Sequence, residues 1–188
     1  MNKALIIIDA QEDFTRGALR NENAIKALST LHEVASFAEE NEFKLICYTR
    51  DTHSKVTYKF TQEGKNLPIE HCIINTPGHR ICEEASIHNA ALIIDKNTFG
   101  YKDWQRYSLK LHRVNEIWLC GFCTDICVSA NFQILKATYP EVPIVVIKDA
   151  CAGVTLDLHK AALKVMKSCQ ARIVDWKTLL KEQTNKGE

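Results

Sequence analysis

Glu116-Ile-Trp-Leu-Cys120-Gly121-Phe122-Cys123-Thr124-Asp125-Ile126-Cys127 is an apolar run, a glycine turn and a polar helix start in twelve residues. Short apolar runs of this kind read as strands covered on both faces, and the periodicity from Asp125 to Thr138 predicts a helix behind it. Working outward, five further runs repeat the pattern: Leu5 to Ile8, Leu45 to Tyr48, Ala91 to Ile94, Ile144 to Ile147 and Arg172 to Val174. Helical spacing separates them at Asn23 to Glu40, Arg80 to His88, Trp104 to His112 and Leu156 to Ser168. Such alternation predicts an α/β fold of three layers, a six-stranded mainly parallel sheet with helices on both faces.

With 188 residues the chain fits one domain, read as residues 1–180, with Lys181 to Glu188 expected as a solvated tail. Twenty-four basic and 23 acidic residues leave a net charge of +1. That balance supplies no field for nucleic acid or an anionic membrane, so the expected partner is a small or neutral molecule. The apolar run before Asp9 is too short for a signal or membrane segment, and the eight cysteines lie in apolar stretches. They read as buried thiols of a cytoplasmic protein, and homo-oligomerisation stays open.

In open α/β sheets ligands bind beyond the carboxyl ends of the strands. Polar residues fall there at Asp9 and Asp13, at Arg50-Asp51-Thr52-His53, at Asp95-Lys96 and at Gly121 to Cys127. Thr124 or Asp125 is positioned to cap the helix and put Cys127 in its first turn. A free thiol with a pKa of ~8.5 is mostly protonated at neutral pH. Lowering that value by about two units takes roughly 2.7 kcal/mol, more than an exposed helix terminus supplies, so Lys96 is the expected second cation. Alone, Cys127 reads as a core thiol, Lys96 as a solvated strand end and Asp9 as a cap. Together they make a nucleophile, a cation and a proton carrier for acyl transfer.

The interval from Asp51 to Gly78 is too long for a plain connector. It holds Asp51, His53, Glu63 and His71, donors that suit zinc first, then iron or manganese, or else surface and capping roles. Phe14, Tyr101 and Trp104 are aromatics available to flank a planar substrate or to fill the core. Two rivals compete. Cys120-Gly-Phe-Cys123 has the spacing of a thioredoxin-like redox pair, and the carboxylates after the first run with a strand-end lysine suit a receiver-like signalling module.

Ile8-Asp9-Ala-Gln11-Glu-Asp13-Phe14, Asp95-Lys96-Asn-Thr-Phe99, Gly121-Phe-Cys-Thr124-Asp125-Ile-Cys127-Val128, and Asp149-Ala-Cys-Ala-Gly with His159 resemble, in this order, the motifs of the isochorismatase-like cysteine hydrolases. Within them the likeness is to the nicotinamidases. It implies a parallel six-stranded sheet, an Asp9, Lys96, Cys127 triad, a cis peptide at Phe122-Cys123, and an oxyanion hole from the amides of Cys123 and Cys127. It further implies metal ligation by Asp51, His53 and His71, with the ion holding a pyridine nitrogen, and a small-molecule amide as substrate. The chain departs from the family pattern at Thr52, often an aromatic, and at Lys59, near an expected histidine. Glu63 is the expected replacement ligand. Gly100-Tyr101 stands where a small residue and Phe are usual.

Overall fold

Six apolar segments pair into one sheet: β1 (Lys3–Ile8), β2 (Leu45–Asp51), β3 (Leu92–Lys96), β4 (Glu116–Phe122), β5 (Ile144–Ala152) and β6 (Arg172–Val174). The computed structural model describes residues 1–85 and 92–185. Every neighbouring pair is parallel, in the order β3-β2-β1-β4-β5-β6. The predicted six-stranded α/β architecture is therefore the observed one. Ala4 to Ile8 and Ile117 to Phe122 are wholly buried, because β1 and β4 hold the middle of the sheet and meet layers on both faces.

The strand order reverses between β1 and β4. The chain leaves this line outward in both directions, and the crevice it opens at the carboxyl ends is where the site lies. Right-handed crossovers put α1 (Glu22–Glu40) on one face and α4 (Ser129–Thr138) and α5 (Leu156–Ser168) on the other. Asn21 caps α1 by accepting from the amide of Asn23 at 2.9 Å. The helix buries Ala24, Ala27, Leu28, Leu31, Val34, Ala35 and Ala38, a stripe at three- and four-residue spacing.

Several expectations change. The predicted helix from Arg80 is replaced by a bridge of Ile81 with Gln11 and a 3-10 turn at Glu83–Ala85. There the Cys82 amide donates to the Ala10 carbonyl at 2.8 Å, which ties the segment to the exit of β1. Residues 86–88 of that helix, and Ala91, lie outside the described residues. Trp104 to His112 divides into a 3-10 turn, Trp104–Tyr107, and α3 (Ser108–Leu111). Residues 186–188 of the expected tail lie outside the described residues, while Lys181 to Thr184 belong to α6 (Trp176–Thr184), which is capped by Asp175 and buries Gln183. That side chain bonds the Lys3 ammonium, and Trp176 packs edge-on against Phe37. Among the described residues no helix is long and apolar enough to cross a membrane.

Candidate active site

Each group of the predicted triad leaves a different strand. Asp9 follows β1 with φ 47, a turn that directs its wholly buried carboxylate under the crevice. Lys96 ends β3, and its Nζ lies 2.5 Å from Asp9 Oδ2 and 3.8 Å from Cys127 Sγ. Cys127 lies in a π-helical turn, Thr124–Val128, that runs into α4. β4 reaches this turn through Gly121, whose φ of +117 and contact with the Ile8 carbonyl leave no room for a Cβ. The Phe122-Cys123 peptide is cis, as the resemblance implies.

The capping expectation fails. Thr124 Oγ1 is 2.8 Å from His159 Nδ1, and Asp125 Oδ1 accepts from the Val154 amide at 2.9 Å, so both side chains tie the turn to the start of α5. The electrostatic expectation is met only in the sign of the Lys96 contribution. Burial first, and then the Asp9 carboxylate, push the Cys127 thiol well above the ordinary range, and Lys96 only partly opposes them. Burial opposes charge on Lys96, yet the Asp9 carboxylate, with Asp51 beyond it, outweighs burial and pushes the Lys96 pKa up. Asp9 is pushed up by burial against the pull of Lys96. This suits a group that takes a proton and gives it back.

Sequence reasoning assigned no role to Thr49, although a hydroxyl inside an apolar run two residues before Asp51 was a usable signal. Its Oγ1 donates to Asp9 Oδ1 at 2.6 Å.

Above the sulfur opens a cleft of about 1310 Å³. Phe14, Cys123, Cys127 and Phe99 line it, as do Asp51, His53, Glu63 and His71. Tyr101 and Trp104 do not, which corrects their reading as pocket walls. The wholly buried Trp104 packs edge-on against Tyr101, and its Nε1 donates to Asn131 at 3.0 Å. Phe99, 46% exposed, presents the aromatic wall instead.

The four ligand candidates converge, with one donor atom from each within 4.8 Å of all the others. His53 Nε2 is 2.9 Å and His71 Nε2 3.3 Å from Asp51 Oδ2, and Glu63 approaches the two rings at 3.7 and 3.4 Å. The His71 Nδ1 is used on the Ile69 carbonyl at 2.9 Å, which turns Nε2 to the cluster. Asp51 Oδ1 is buried without a hydrogen-bond partner. Burial opposes both charges, yet the histidines and Lys96 hold Asp51 well below the carboxylate range, and Asp51 and Glu63 push His71 up to about 10. A nest of two carboxylates and two imidazoles that draws positive charge, with an unpaired oxygen inside it, fits a divalent ion. Gln11, wholly buried, fixes this corner: its Oε1 accepts from the Asp51 amide at 2.7 Å, and its Nε2 donates to the Asp51 and His79 carbonyls at 2.9 and 3.0 Å.

The redox rival loses its pair. Cys120 is sealed inside β4 with its thiol pushed well up by burial, and burial also pushes Cys123 up to about 12.

Known proteins resemble this chain in sequence and fold. The isochorismatase domain matches residues 3–178. A nicotinamidase/pyrazinamidase of Mycobacterium tuberculosis is 27% identical over 191 residues, 92% of this chain and 98% of that one. The crystal structure of a Pyrococcus horikoshii pyrazinamidase in complex with zinc superposes with a TM-score of 0.80 at 27% identity, over 94% of this chain and 100% of the other. A pyrazinamidase/nicotinamidase from Streptococcus mutans gives 0.79 at 26%, over 92% and 99%. Fold, site and relatives together define a hydrolase of the amidase class, acting on C–N bonds. Within that class, the chain belongs to the isochorismatase family.

Proposed function

We propose that the protein is a cysteine-dependent amidase of small carboxamides, with nicotinamide, converted with water to nicotinate and ammonia, as its foremost substrate. The observation that carries this reading is the Lys96 ammonium, 2.5 Å from Asp9 and 3.8 Å from the Cys127 sulfur at the floor of the cleft.

Asp9 takes the Cys127 proton as the sulfur attacks the carboxamide carbon. Lys96 offsets the charge gathering on sulfur. The amides of Cys123 and Cys127 receive the oxyanion. Asp9 returns its proton to the leaving nitrogen, ammonia departs, and a Cys127 thioester remains. Water, deprotonated by Asp9, attacks that thioester, and the carboxylate product leaves as the thiol reforms. Phe14 and Phe99 line the cleft and flank a planar ring. A divalent ion, zinc foremost, would be held by Asp51, His53, Glu63 and His71 and would supply a Lewis-acid anchor for a ring nitrogen.

One observation favours a second reading, in which another amide or an N-carbamoyl compound is the substrate. At about 1310 Å³ the cleft exceeds the ~300–1,000 Å³ usual for small-molecule sites. Isochorismate is disfavoured, since vinyl-ether hydrolysis needs neither the sulfur nor the imidazole cluster.

Ammonia release from a panel of primary amides and N-carbamoyl compounds tests both readings, with and without chelator. The expected outcome is that nicotinamide turns over fastest, that Cys127→Ala loses about four orders of magnitude in kcat, and that chelation chiefly raises KM. Full activity of Cys127→Ala would refute the nucleophile assignment, and a chelator-treated enzyme with unchanged KM would refute the ion's role.

A further inference from the structure

Asn131, on the first turn of α4, is wholly buried and bonded through every position its amide offers. Its Oδ1 accepts from the Tyr101 amide at 2.9 Å and from Trp104 Nε1 at 3.0 Å. Its Nδ2 donates to the Phe99 carbonyl at 3.1 Å and to the Cys127 carbonyl at 2.8 Å. One side chain thus grips the backbone of the nucleophile and the segment that continues from Lys96. Residues Asn97, Thr98 and Phe99 of that segment form a wall of the cleft.

A second feature sets the same spacing from the other side. A Cβ at Gly100 would come within 2.5 Å of Ile134 Cδ1 and 3.3 Å of the Ala130 side chain, so any larger residue here must push Ile134 aside and crowd Ala130 where the segment lies on α4. Gly100 permits the close approach, and the Tyr101 amide locks it.

We infer that Asn131 and Gly100 form a latch that fixes the distance between the Phe99 wall and the Cys127 sulfur, and so sets the width of acyl group the enzyme accepts. Asn131 is a positioning residue and touches neither sulfur nor substrate; the inference rests on Cys127 as the nucleophile. Opening the latch moves the wall relative to the sulfur, so wide and narrow substrates are affected unequally. A residue that serves only packing would lower stability and the active fraction alike for all substrates.

The test uses Asn131→Asp and Gly100→Ala. The aspartate keeps both accepting contacts and loses both donors, opening the latch at the nucleophile. The alanine presses on Ile134 and Ala130 and so strains the seat of the wall on α4 with Asn131 intact. Two ratios are measured in each folded variant: kcat/KM for nicotinamide over that for a narrow aliphatic amide, and the alkylation rate of Cys127 by N-phenylmaleimide over that by iodoacetamide, followed by mass spectrometry. Both ratios are expected to move about fivefold or more from wild type in Asn131→Asp, which loses two hydrogen bonds from a buried side chain, and in the same direction in Gly100→Ala. Lowered melting temperatures with both ratios at wild-type values would overturn the latch. Wild-type enzyme inert towards every amide, with the alkylation ratio still shifted, would refute the substrate reading and leave the latch supported. Should Asn131→Asp not fold, Gly100→Ala alone decides.

Discussion

The sulfur side of the cleft is held by the sheet, whereas the imidazole side is held by a loop. Asp9 and Lys96 sit at the ends of hydrogen-bonded strands whose register fixes them, and they meet at 2.5 Å as one buried ion pair. Across the cleft, His53, Glu63 and His71 lie on a segment organised by a bridge from His53 to Ile73 and by short helical turns, including α2 (Gln62–Asn66). The first set is positioned by the fold itself. The second gathers mutually attracting charges, and side chains near it stand in for a framework: Gln11 on Asp51, and Asp13, which accepts from the Cys72 amide at 2.6 Å beside His71. Geometry that reaction needs at sub-ångström precision is placed on strands, and geometry that an ion can itself organise is left to a loop.

The contrast breaks first at the ion pair. Asp9→Asn or Lys96→Met leaves one buried charge alone, and each should cost about 3–5 kcal/mol in denaturant unfolding. The double variant should recover most of that stability while remaining inactive. Activity returning along with stability would mean that the pair is only structural.

A smaller effect tests the loop side. Gln11→Leu removes three hydrogen bonds to backbone around Asp51, and the apparent zinc affinity, titrated against a competing chelator, should weaken about 10–100-fold while Cys127 alkylation in the metal-free protein stays near the wild-type rate. Equal loss in both measurements would show that the two sides are not separately held.

The smallest effect is a displaced pH profile. Because burial and then Asp9 push the Cys127 pKa up, the thiolate is lost as pH falls through that raised value, and alkylation should climb only above the ordinary thiol range. Asp9→Asn deletes one of the raising charges and leaves Lys96, so the climb should shift to lower pH. A shift to higher pH would mean that the carboxylate does not face the sulfur.

Much of this was readable from residues. The strands were legible because layers on both faces demand continuous apolar runs, and Ile8-Asp9 and Asp95-Lys96 mark where those runs stop. Asp51, His53, Glu63 and His71 were legible because few side chains can serve as metal ligands. The aromatic wall was not: Phe99, Tyr101 and Trp104 are alike as sequence, and only the structure shows Phe99 lining the cleft while Trp104 is buried on Asn131 and against Tyr101. The thiol's titration was also hidden, since its sign depends on how deeply sulfur and carboxylate are buried together. Helix α6 escaped because its apolar residues, Trp176, Leu179 and Leu180, are few and anchor on Phe37, far away in sequence.

The line between β1 and β4 also bears on how the chain is made. β1 is synthesised first and pairs with β2, but its other edge stays bare until β4 has left the ribosome. A nascent chain stalled before Glu116 therefore carries Asp9, Lys96 and the imidazole cluster without Cys127, and shows an open strand that is apolar from Ala4 to Ile8. Such a fragment lacks the nucleophile turn and leaves the central strand unpaired on one side, an edge prone to association with other chains until β4 covers it.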